Sequence, residues 1–166
     1  MDLKNKKVII TGISKGIGKH TCIQLLEKGA HVCGWGINEP DYTDPNLSFI
    51  KTDVKDFDSV SEAYSKTEKE WGEGADVLIN NAGYGIFNYV EKFDVKEWHE
   101  MFATNVHGIF HCSKVTIPAM RKKEAGHIIN IASIAGQMGN PQGADYSGTK
   151  FAVRGMSESM FKELRD

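Results

Sequence analysis

The sequence predicts an α/β fold in which a doubly wound parallel sheet lies between two layers of helices. Three observations carry this. Short apolar runs alternate along the chain with longer segments of helical periodicity, and several runs are apolar at consecutive positions, as expected for strands covered on both faces. A glycine-rich turn sits where the first strand candidate gives way to the first helix candidate.

Taken in order, the strand candidates are Val8–Thr11, His31–Trp35, Ser48–Thr52, Asp76–Asn80 and His127–Ala132. The helix candidates are Gly16–Lys28, Phe57–Trp71, Val95–Lys122 with a kink expected at Pro118, and Ala144–Arg165. Asn38–Asn46, with Pro40 and Pro45, reads as a loop joining two strands without room for a helix. No internal repeat or low-complexity tract interrupts the pattern, so residues 1–166 read as one domain, a length that can bury a core.

Composition narrows the function classes. Twenty basic and 22 acidic side chains, a formal net charge of -2, leave no electrostatic footprint for nucleic acid or an anionic membrane. No apolar run approaches the roughly 20 residues needed to span a bilayer. Met1 to Lys7 carries charge where a signal peptide needs an apolar stretch. Cys22, Cys33 and Cys112 are odd in number and lack the paired spacing of a zinc site or disulfide framework. Together these point to a reducing compartment, the cytoplasm. His107 and His111 share helical i, i+4 spacing, but further metal ligands are lacking, so no metal site is expected.

The chemistry begins with Thr11-Gly12-Ile13-Ser14-Lys15-Gly16-Ile17-Gly18, which follows the first strand and opens the first helix. Glycines let the backbone turn sharply and approach a pyrophosphate, while the unpaired amides and positive end of the helix favour that anion. Further along, Asn80-Asn81-Ala82-Gly83 closes the fourth strand candidate, and Tyr146 and Lys150 lie four apart on one face of the last helix. A nearby ammonium lowers the pKa of a phenol toward a useful range.

With these motifs in this order, the chain resembles the short-chain dehydrogenase/reductase family, and around Ile13 to Gly18 it is most similar to 3-oxoacyl-carrier-protein reductases. The family's glycine spacing matches Gly12, Gly16 and Gly18, and its Asn-Asn-Ala-Gly segment matches Asn80 to Gly83. The resemblance implies a Rossmann-type three-layer α/β/α domain with strand order 3-2-1-4-5-6-7. It also implies a catalytic tetrad of Asn105, Ser133, Tyr146 and Lys150, and cofactor contacts from Gly12, Ser14, Lys15, Gly16, Ile17, Gly18, Asp53, Val54, Asn81, Ala82 and Gly83 as well as Tyr146 and Lys150. In that reading hydride passes between a nicotinamide and a carbonyl or alcohol substrate, Tyr146 exchanges the proton, Lys150 holds the nicotinamide ribose, Ser133 binds the substrate oxygen and Asn105 supports a water-linked path to Lys150.

NADP is favoured over NAD. Gly34-Trp35-Gly36-Ile37-Asn38 lacks the acid that binds an unmodified adenosine ribose, and Lys15 stands where NADP-using relatives often carry a base. Trp98, Phe102, Val106 and Phe110 form one apolar stripe, and Phe151, Met156, Met160 and Leu164 another. The resemblance assigns these helices to a subunit contact, hence a homodimer or homotetramer. Family members normally continue for two more strands and a helix beyond the point matching Asp166, so the expected sheet is truncated after the helix carrying Tyr146 and Lys150, with an apolar edge at its fifth strand. A catalytically weak dinucleotide-binding fragment acting through association is the alternative.

Overall fold

The computed structural model describes residues 2–165. Five parallel strands, β1 (Lys7–Thr11), β2 (His31–Gly36), β3 (Leu47–Lys51), β4 (Val77–Asn80) and β5 (His127–Asn130), form one sheet in the order β3-β2-β1-β4-β5. Helices α1 (Gly16–Glu27), α2 (Phe57–Trp71), α3 (Val95–Phe102), α4 (Gly108–Lys123) and α5 (Ala144–Leu164) complete it, with 3₁₀ turns at Val90–Lys92 and Ile134–Gly136. The doubly wound Rossmann-type topology is the expected one. The chain leaves β1 toward β2 and β3 on one side, then returns to place β4 and β5 on the other, so the order reverses between β1 and β4.

Period-two alternation along β1 splits the core into two faces. Val8 and Ile10 point toward α1, meeting Cys22, Leu25 and Leu26 with Val32, Val77 and Ile79. Ile9 points the opposite way, packing with Val60, Ala63, Tyr64, Leu78, Cys112 and Met120 of α2, β4 and α4. All three cysteines are free and buried, and burial pushes the Cys112 thiol up to about 12. Gly34 is a point of close approach: a Cβ there would enter the Ile13 side chain.

Local signals set the element ends. Asp56 caps α2 by accepting from Asp58 N, Gly72 closes that helix at φ +71°, and Asp94 caps α3 by accepting from Lys96 N and Glu97 N. The β2–β3 connection is a loop without a helix, held by Tyr42 Oη donating to Ile13 O.

Several boundaries differ from the sequence reading. β3 runs Leu47–Lys51, one residue earlier than predicted, because Thr52 turns its hydroxyl back onto Ile50 O. β5 ends at Asn130 instead of Ala132, since Ser133 already caps the next turn. The largest correction concerns Val95–Lys122. The predicted single helix is interrupted by a π-helical turn at Ala103–His107, while α4 runs as continuous α-helix through Pro118. The two apolar stripes are only partly covered: Trp98 and Phe102 stack at 5.1 Å, whereas Phe110 and Phe151 stay exposed, as does Phe161 beside the second stripe. Ile129 is exposed on β5, an outer strand of the sheet. Among the described residues no helix is long and apolar enough to cross a membrane, and no cluster of three metal-ligating side chains occurs.

Asp76 ties the strand starts together. Its carboxylate accepts from Lys7 N at 3.0 Å and Lys123 Nζ at 3.2 Å, and its carbonyl accepts from His127 N. Burial alone would raise its pKa, but the Lys7 amide and the Lys123 ammonium outweigh it and hold the carboxyl below the ordinary aspartate range. A depressed folded pKa contributes stability that is present above the unfolded value and is lost as pH falls through the folded one. Denaturation measured between about pH 4 and pH 2 therefore shows a steeper loss of stability for the native chain than for Asp76→Asn; equal slopes would contradict this assignment.

Candidate active site and its family

The carboxyl ends of the strands open into a cleft of about 850 Å³ at the place where the strand order reverses. Its floor is a set of hydrogen bonds between the segments that follow β1 and β4. The buried Thr11 hydroxyl accepts from Asn81 N at 3.0 Å and from Ala82 N at 2.8 Å. In return Asn81 Nδ2 donates to Thr11 O at 2.9 Å and Gly12 O at 3.1 Å.

The glycine turn follows from this geometry. Gly12 and Gly16 occupy positive φ, +73° and +59°, and a Cβ on Gly12 would stand 3.1 Å from Ala82 Cα. Gly12, Ser14, Lys15, Gly16 and Ile17 line the cleft, with Lys15 and Ile17 exposed. Gly18 does not line it. It is buried beneath, where a Cβ would collide with Gly12 O and the Asn81 amide, so its part is to let α1 pack against the turn. The amino end of α1 has no side-chain cap and no acid in its first turn, which leaves amides available to an anion.

Asp53 and Val54, beyond β3, line the far end with Lys55 and Glu100. Lys55 Nζ lies 2.5 Å from Glu100 Oε2 and 3.8 Å from Asp53 Oδ2. Val54 is fixed by its carbonyl's contact with His111 Nδ1 at 2.9 Å and by Gly108, where a Cβ would strike the valine side chain. Gly36, Ile37 and Asn38 line the cleft beside the glycine turn without an acid, and Glu39 is not among the lining residues.

Tyr146 and Lys150 enter from α5 at the opposite end. Lys150 is only 7% exposed. Its Nζ donates to Ile131 O at 2.7 Å and stands 5.7 Å from the Tyr146 ring centre. Burial lowers its pKa. Phe87 packs on Tyr146 with ring centres 5.6 Å apart.

Asn105 and Ser133 do not line the cleft. Asn105 is buried in the π-helical turn, accepting from Tyr84 N at 3.1 Å and donating to Tyr84 O at 2.8 Å and Thr149 Oγ1 at 3.2 Å. Both amide hydrogens are thus spent on fixing the loop after β4 against α5. Ser133 Oγ accepts from Ala135 N at 3.2 Å. Lys55, Tyr84, Phe87 and Glu100 are lining residues that the motifs did not single out, and Thr11 was read only as the start of the glycine motif; long uncharged stretches around Tyr84 and Phe87 are the signal that would have found two of them.

This arrangement can be set beside known proteins. The model of the family described as short chain dehydrogenase matches residues 6–166. The chain belongs to that family. A Vibrio cholerae relative named 3-oxoacyl-[acyl-carrier-protein] reductase FabG is 35% identical, covering 99% of this chain and 69% of the relative. An uncharacterised oxidoreductase of Staphylococcus saprophyticus is 38% identical, covering 98% and 68%. Among solved structures, ElxO with NADP bound superposes with a TM-score of 0.91 at 33% identity, covering 96% of this chain and 68% of that one. Ligand-free aldohexose dehydrogenase from Thermoplasma acidophilum gives a TM-score of 0.93 at 30% identity, covering 99% and 63%. This short-chain dehydrogenase therefore spans about two thirds of the length of the relatives it matches.

Replacing Thr11 by Val keeps its shape but strands two amides of the cleft floor. Urea denaturation of Thr11→Val shows a loss of about 1–3 kcal/mol; unchanged stability would mean that these bonds do not hold the floor.

Proposed function

We propose that this short-chain dehydrogenase binds a nicotinamide dinucleotide along the cleft, NADP in preference to NAD, and uses Tyr146 to exchange a proton with a carbonyl or alcohol substrate. The observation that carries the reading is one continuous cleft with an anion-ready glycine turn along it and a Tyr146–Lys150 pair at its end.

The residues fit the cofactor. Gly12, Ser14, Gly16 and the uncapped end of α1 suit a pyrophosphate, with Gly18 allowing the close packing beneath. Asp53 and Val54 suit an adenine, and Asn81, Ala82 and Gly83 suit the ribose and nicotinamide portion. Lys15 and Ile17 flank the turn. An exposed Lys15 lining the same cleft as the acid-free Gly36-Ile37-Asn38 suits a 2′-phosphate.

Held by these residues in its reduced form, the nicotinamide would supply the hydride that a carbonyl carbon takes up. The oxygen, becoming an alkoxide, takes its proton from Tyr146 Oη, and the phenolate regains a proton from solvent. Lys150, buried and anchored on Ile131 O, places its ammonium 5.7 Å from the centre of that ring. Ser133, beyond the end of β5 at the cap of the Ile134–Gly136 turn, orients the carbonyl oxygen. Asn105 acts by holding Tyr84 and Thr149 in register with Tyr146, and extends to Lys150 through water. Alcohol oxidation is the reverse. The exposed aromatic faces of α4 and α5 suit association with a second copy, and a cytoplasmic location suits the three free thiols.

Tyr146→Phe lowers turnover at least about a hundredfold while leaving the NADPH dissociation constant unchanged; turnover equal to the native chain would sink the proton-transfer role. Lys15→Ala weakens NADPH about tenfold and NADH little, measured by calorimetry; equal losses for both would remove Lys15 as the phosphate contact.

A further inference from the structure

We propose that the Tyr146 end of the cleft selects an uncharged carbonyl compound carrying an apolar or aromatic group next to the reacting carbon, and that Phe87 is the specificity-determining residue. This rests on the dehydrogenase reading above and names its substrate class.

A quarter of the chain is charged, yet residues 77 to 90 and 128 to 144 contain no Asp, Glu, Lys or Arg. These are the two stretches that flank Tyr146. The first supplies Tyr84, Gly85 and Phe87 to the cleft, and the second supplies Ile131 and Ala132. They are joined where Asn88 N donates to Gln142 O at 2.9 Å, and a Cβ on Gly143 would stand 3.6 Å from Phe87 Cδ1.

The charges that do line the cleft are committed elsewhere. Lys15 belongs to the glycine turn, Lys55 is paired with Glu100 and Asp53, and Lys150 gives its ammonium to Ile131 O. The one charged lining side chain at the Tyr146 end is Lys150, buried and bonded to Ile131 O, so an ionised substituent lying on the Phe87 side meets no charged partner, and desolvating an unpaired charge is costly.

The same stretches expose apolar surface. Phe87 is 60% exposed while its ring touches Tyr146. Ile134, directly after Ser133, is 64% exposed, and Met138 is 57% exposed. Covering a ring such as Phe87 with an apolar substituent removes both surfaces from water. The loop bearing Phe87 is fixed at Tyr84 by Asn105, so the ring is held in place before a substrate arrives.

The test uses two ketones of one shape and different charge, 4-methylacetophenone and 4-acetylbenzoate, with NADPH. Each carbonyl is reduced to the alcohol as NADPH becomes NADP⁺, Tyr146 giving the oxygen its proton. The native chain shows a kcat/KM at least about tenfold higher for 4-methylacetophenone. Phe87→Ala raises KM for that ketone about tenfold with the NADPH dissociation constant unchanged, and Phe87→Trp restores the low KM. Equal or better use of 4-acetylbenzoate, an unchanged KM in Phe87→Ala, or reduction of neither ketone by a chain that binds NADPH would each overturn this inference alone. A native chain that binds no NADPH would overturn the dehydrogenase reading as well.

Discussion

At the carboxyl ends of the two central strands, one buried hydroxyl accepts two backbone amides and one side-chain amide returns two bonds to the opposite backbone. This exchange between Thr11 and Asn81 is the constraint on which the site depends. It brings the segment after β4 close enough to the glycine turn that a Cβ on Gly12 would stand only 3.1 Å from Ala82 Cα. It also fixes where the loop leading to Tyr84 and Phe87 departs, and so what faces Tyr146. Four part-buried hydrogen bonds between two short segments make that junction stiff.

From it the cleft divides into two chemical halves. Toward β2 and β3 lie Lys15, Asp53, Lys55 and Glu100, together with the open amides of α1, a surface able to meet phosphates and a polar base. Toward α5 lie aromatic and aliphatic groups with one buried ammonium. The π-helical turn serves the second half: its wider turn places Asn105 where a single amide side chain fastens both Tyr84 and Thr149. Local departures from regular helix of this kind often accompany functional sites.

Much of this architecture was legible in the residues. Continuous apolar runs identified a parallel sheet, and the turn between Thr11 and Gly18 located the cleft, because glycine positions and strand-to-helix context obey local rules. What was not legible depended on tertiary contact. The interruption at Ala103–His107 leaves no mark in a periodicity that reads straight through it, and Pro118 drew attention to a turn that stays α-helical. Gly18 carries the same motif signature as Gly12 and Gly16, yet only the fold reveals that it packs under the turn while they border the cleft. Asn105 and Ser133 were visible by their order in the chain, but their bonds to Tyr84, Thr149 and Ala135 join residues that no spacing rule connects.

The most direct test of the account is a calorimetric titration of the native chain with NADPH and then with NADH. The account predicts saturable binding of one NADPH per chain, and weaker binding of NADH because the ribose end lacks an acid and bears Lys15. Binding of neither nucleotide would contradict it, since the glycine turn, the junction beneath it and the Tyr146–Lys150 pair would then frame a cleft with another purpose.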